Sequence, residues 1–271
     1  MLRIPNRRHS EGFVAGAGVA VLAGLVGLGG AEFRLPILKG WFRLPSLKAV
    51  IFNKAVSLVV VFFALIFRAQ EVPFGLLADQ AGIILNLLGG SLAGAWFSAG
   101  MAMRLSEAAL DRAIMLLLVA LAVLLLFHSV LTGGNGQAFF DAGWAQVLAG
   151  LAAGFGIGMV AAILGVAGGE LLIPAIVLLY GVDIKLAGSL SLAISLPTML
   201  VGFVRYSKGA AFSVLKEEGA LLAAVIFGSV FGAAAGAMLL GVVSADALIV
   251  VLALMLMLSA YKIFKHTKGG A

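Results

Sequence analysis

Apolar positions run almost unbroken along this chain, interrupted at short intervals by clusters of charge, glycine or proline. Read as helices, the runs are residues 12–28, 32–42, 47–67, 74–103, 108–130, 141–165, 170–181, 186–205, 217–241 and 245–264. Most approach or exceed the roughly 18 nearly uncharged residues that a helix needs to span a bilayer. Residues 32–42 and 170–181 do not; at about 1.5 Å per residue each is half a bilayer long. Each follows a glycine-rich break, Gly27-Leu28-Gly29-Gly30 and Gly165-Val166-Ala167-Gly168-Gly169. Such breaks are tolerated in a membrane only where protein or a cavity lines them.

The pattern also repeats, at a constant offset of 138 residues. Gly12 to Pro36 aligns without a gap on Gly150 to Pro174, with Gly27/Gly165, Gly30/Gly168, Glu32/Glu170 and Pro36/Pro174 identical. The same offset pairs Ala55, Ser57 and Leu58 with Ala193, Ser195 and Leu196, and Gly90, Ser91, Gly94 and Ala95 with Gly228, Ser229, Gly232 and Ala233. Two repeats follow, residues 11–130 and 141–265, joined by a polar linker at 131–140. The recurrence of the first segment in mid-chain argues that it is structural and not a cleaved leader.

Charge then decides between two topologies. If each broken segment crosses the membrane once, the basic loops of the two repeats fall on opposite sides. If each folds back as a re-entrant hairpin, every repeat has three spans and the second is inverted. In the hairpin case 14 basic residues lie on one side, among them Arg7, Arg8, Lys39, Arg43, Lys48, Lys208 and Lys216. Only Arg68 and Lys185 lie on the other. The positive-inside rule selects that arrangement. The expectation is therefore an all-α polytopic membrane protein of two inverted repeats, each a hairpin (12–42 and 141–181) plus three transmembrane helices. The spans are 47–67, 74–103, 108–130, 186–205, 217–241 and 245–264, with both termini cytoplasmic.

Composition sharpens this. The chain has 271 residues, 63% hydrophobic and 11% charged, far from the balance of a soluble domain. The net charge of +6 sits in short loops, where it reports topology and not nucleic-acid binding. There is no Cys, and the three His are scattered, so thiolate or clustered metal chemistry is not expected. No cofactor is indicated. Catalytic constellations are missing too, which argues against an enzyme.

Candidate chemistry gathers at the breaks. Gly29, Gly30, Gly168 and Gly169 precede half-helices whose first N–H groups lack intrahelical partners and carry partial positive charge. Meeting from opposite faces, the two N-termini would form an anion site. The alternative is that the glycines serve only the turn and close packing. Two roles compete for Glu32 and Glu170: a carrier of a coupling proton, or a cap on its own half-helix. Asn53 and Ser57 are four apart and share a helix face, as do their counterparts Ser191 and Ser195. They would complete an oxyanion site or simply bond between helices. Lys54, opposite Leu192, would attract an anion, pair with Glu32 or snorkel to the interface. Arg34, opposite Leu172, is equally one-sided. The glycine ridges Gly90/Gly94, Gly150/Gly154/Gly158 and Gly228/Gly232/Gly236 read as packing surfaces.

Around Gly27 to Pro36 and Gly165 to Pro174, followed by Ala55-Val56-Ser57-Leu58 and Ala193-Ile194-Ser195-Leu196, the chain resembles the sulfite exporter TauE/SafE family. The resemblance covers nearly the whole chain; Arg34 and Lys54 depart from the family pattern, as do Ala31 and Ala167, which stand where more glycine is expected. It implies a secondary transporter in the bacterial inner membrane for a small sulfur-containing anion such as sulfite, sulfoacetate or a related organosulfonate. Coupling to protons is the expected drive. A passive anion channel is the alternative.

Overall fold

The computed structural model describes residues 7–101, 119, 122–123, 138–139, 143–164, 168–207 and 210–268. Every regular element among them is helical: α1 (Arg7–Val26), α2 (Ala31–Gly40), α3 (Ser46–Arg68), α4 (Phe74–Asp79), α5 (Ala81–Met101), α6 (Trp144–Leu164), α7 (Gly169–Tyr180), α8 (Ile184–Tyr206), α9 (Val214–Glu217), α10 (Gly219–Leu240) and α11 (Ala245–Lys268). The bounds follow the 138-residue offset: α3 maps onto α8 end to end, α2 starts at Ala31 and α7 at Gly169, and α5 and α10 start at Ala81 and Gly219.

Among the described residues six helices are long and apolar enough to cross a membrane: Arg7–Val26, Leu47–Arg68, Ala81–Ser98, Trp144–Ala162, Ile184–Val204 and Gly219–Leu240. Four of these are expected spans. The expected span 108–130 lies almost wholly outside the described residues, as does the linker. The expected span 245–264 falls within α11, whose apolar part, Ala245–Leu258, is shorter. The other two are the first arms of the broken segments, so these segments are unequal, a 20-residue arm followed by a 10-residue one in the first repeat. α1 gains its extra turn from water-side chemistry: Arg7 pairs with Glu11 one turn on, at 2.9 Å. Segments 74–103 and 217–241 are each broken once, at Gln80 and Glu218, which are equivalent positions.

Each short arm returns along its long arm. The Trp41 indole donates to Glu11 at 3.0 Å, and Arg8 donates to the Phe42 carbonyl, bringing the end of α2 to the start of α1. In the second repeat Gln146 donates to the Leu179 carbonyl at 2.9 Å, tying the end of α7 to the start of α6.

The long arms pack crosswise. α1 lies on α10 and α6 on α5, the two most extensive contacts among the described helices. The glycine ridges make this possible. A Cβ on Gly228 or Gly232 would overlap the carbonyl of Phe13 or Ala17; on Gly90 or Gly94 it would overlap the carbonyl of Leu151 or Phe155. These are the same two contacts seen twice, since Phe13 and Ala17 are equivalent to Leu151 and Phe155. Without a water-driven force between helices in lipid, such backbone approach supplies the packing energy. In the centre α3 and α8 lie antiparallel: Arg68 meets Ser189 at one end, and Lys54 meets Gly202 towards the other.

Candidate functional site

Both short arms open on a glycine in the left-handed conformation. Gly30 has φ 65° and Gly168 φ 74°, and neither receives a side-chain cap from its own residue. Only glycine takes this conformation without strain. The two breaks meet. A Cβ on Gly169 would lie 3.2 Å from the Leu28 side chain and 3.3 Å from the Ser191 hydroxyl. Ser191 itself donates to the Gly27 carbonyl at 3.1 Å, so one hydroxyl on α8 touches both breaks. Gly27, at φ 95°, packs backbone to backbone on Gly188 of α8.

On the first-repeat side the groups converge on a side chain that the sequence reading left outside the site. Arg34, in the first turn of α2, is 1% exposed. Its Nη1 donates to Ser57 at 3.0 Å and to Asn53 at 3.3 Å, and its Nη2 donates to the Gly29 carbonyl at 3.4 Å. Asn53 also donates from its amide nitrogen to the Ala31 carbonyl at 2.9 Å, so it fixes both the guanidinium and the start of α2. The shared face expected of Asn53 and Ser57 is therefore aimed at this hairpin tip. Glu32 attracts the Arg34 guanidinium, and both its carboxylate oxygens are buried.

The second-repeat side has no basic residue at the corresponding place, since Leu172 stands where Arg34 does and is buried in apolar surroundings. Glu170 is buried in the first turn of α7, beside Gly168 and Gly169 in sequence. The Ser195 hydroxyl is buried with no hydrogen-bond partner among the described residues. Ser57 and Ser195 each occupy the midpoint of a 23-residue helix. Lys54 is 2% exposed with its Nζ against Gly202, which excludes the snorkelling alternative.

Ten of the eleven candidate residues thus lie at the two tips or on the faces of α3 and α8 that carry them; Lys54 reaches between those helices. Two buried arginines were missed. Arg34 carried a signal, a cation in the first turn after a glycine break inside an apolar run. Arg68 was read as an outer-loop charge, yet it is fully buried. It donates to the carbonyls of Gly24, Leu25 and Lys185 and to the Ser189 hydroxyl, capping the C-terminal end of α1. Among the described residues no group of His, Cys, Asp and Glu is arranged to hold a metal ion.

Neither curated proteins nor solved structures include a significant match to the chain. Residues 12–263 match the family described as "Sulfite exporter TauE/SafE", a span that takes in both breaks and every helix carrying the site. The chain, with its paired glycine breaks and membrane-length helices, belongs to this family of membrane transporters.

Proposed function

We propose that the protein is a secondary transporter for a small sulfur-containing anion (sulfite, sulfoacetate or a related organosulfonate) in the bacterial inner membrane. The observation that carries this reading is the meeting of two glycine-opened helix N-termini, with Leu28 against Gly169 and Ser191 touching both breaks. Helix N-termini at such a junction favour an anion, through unpaired N–H groups and the helix dipole. The binding set is Gly29, Gly30, Glu32, Asn53, Lys54, Ser57, Gly168, Gly169, Glu170, Ser191 and Ser195.

The same reading takes the two halves as inverted repeats with re-entrant hairpins and cytoplasmic termini. The antiparallel pairing of α3 and α8, the reciprocal glycine contacts and the return of each short arm along its long arm support it. In such folds one repeat rocks against the other around a fixed site.

Counterflow in proteoliposomes tests the function. A carrier loaded with unlabelled sulfite accelerates entry of labelled sulfite; a channel shows no trans-stimulation. Proton coupling is tested at the two carboxylates. Glu32→Gln should retain exchange at equal pH while losing dependence on a pH gradient, because exchange needs the site and the motion but no net proton transfer. Glu170→Gln should keep full coupling, since Glu170 serves its half-helix as a structural anion.

A further inference from the structure

Arg34 is present in one repeat only, and its donors are not all used. A guanidinium has five N–H donors in a rigid plane. Two on Nη1 go to Ser57 and Asn53, and one on Nη2 goes to the Gly29 carbonyl. The Nε–H is buried with no hydrogen-bond partner among the described residues. That leaves Nε–H and one Nη2–H, on neighbouring nitrogens of one edge of the plane. We propose that this edge of Arg34 recognises the transported anion, and that the ligand is an oxyanion presenting two oxygens to it. The inference rests on the transport reading above and adds to the two helix N-termini a charged contact from the first repeat alone.

Three physical arguments converge on it. A buried donor left unmet is costly, and an arriving oxygen relieves that cost. A guanidinium in the first turn of a helix opposes the helix dipole, so anionic ligands gain from both. Asn53 and Ser57 hold Nη1 from α3, and Gly29 holds Nη2 from the break, so the plane is fixed before the ligand arrives. Glu32 offsets part of the charge, which favours a ligand held by directed hydrogen bonds over one held by charge alone. Sulfite, sulfonates and carboxylates share the required pair of oxygens; a halide does not.

The test uses the purified full-length chain in detergent, with calorimetric titration of sodium sulfite, sodium methanesulfonate and sodium acetate against a chloride competitor at fixed ionic strength. The wild type should bind at least one of the oxyanions, and equimolar chloride should not displace it. Arg34→Lys keeps the charge but loses the planar edge, and should weaken oxyanion binding roughly 10- to 100-fold. Wild-type-like affinity in Arg34→Lys overturns the assignment. Should that variant not fold, the wild type still decides, because chloride competing as well as the oxyanion also overturns it. A wild type that transports sulfur anions yet binds them with Arg34 dispensable refutes this inference alone. Failure to bind any of the anions removes the transport reading beneath it.

Discussion

The Arg68 guanidinium donates to the Leu25 carbonyl at 2.7 Å, fastening the end of α3 to the last turn of α1. The same side chain reaches Gly24, Lys185 and Ser189, so it joins the first long arm to α8 of the other repeat. Arg68→Leu should lower stability by roughly 1–3 kcal/mol through the stranded carbonyls. Arg68→Lys should fall between that variant and the wild type. Thermal melting in detergent reads this; a wild-type melting temperature in Arg68→Leu would refute the capping role.

Packing glycines and free glycines should respond oppositely to one methyl group. Gly94→Ala drives a Cβ into the Phe155 carbonyl and should cost about 1–3 kcal/mol as α5 and α6 are forced apart. Gly156 sits on the same pair of helices with open space at its Cβ position. Gly156→Ala should be neutral or stabilising by up to about 1 kcal/mol, the helix-propensity difference. Equal losses in both variants would contradict the contact geometry.

Acid should loosen one end of the molecule. Glu217 is ion-paired with Lys48 and accepts a hydrogen bond from Ser213, and these hold its carboxyl below the usual range. A carboxylate lowered on folding contributes stability above its unfolded pKa, and that contribution is lost as pH falls through the folded value. Glu217→Gln should therefore narrow the stability gap between neutral and acidic pH. Melting curves of both proteins over that window check the sign; an unchanged or wider gap would refute it.

Topology can be read from a single introduced thiol, because the chain has no Cys of its own. Ser46 starts α3, at the end where Arg8 pairs with Glu218 and Lys48 with Glu217. In intact cells Ser46→Cys should resist an impermeant thiol reagent and react after permeabilisation. Labelling from outside would reverse the proposed orientation.

The repeat was legible because its identities fall on glycines that fold demands at fixed places. Gly30 and Gly168 carry matching positive φ, and Gly90, Gly94, Gly228 and Gly232 make matching contacts. The long helices were legible from their unbroken apolar runs. Long-range reach was not legible. Nothing local in the sequence says that Arg68 turns inward to α1, or that the partners of Arg34 lie 19 and 23 residues ahead on another helix. The length of α1 was also obscured, because the helix starts a turn before its apolar pattern does. That first turn is held by Arg7 and Glu11.

The crosswise packing has a consequence for biosynthesis. The surface on which α1 rests belongs to α10, which leaves the ribosome some two hundred residues later. Until then the glycine-lined groove that receives the first arm does not exist, and that arm waits in lipid without its partner. The two halves are thus entangled: a fragment ending at the linker would hold an arm with no seat and a seat with no arm. Co-expressed as two separate polypeptides, the halves should find each other and restore function, since each carries what the other lacks.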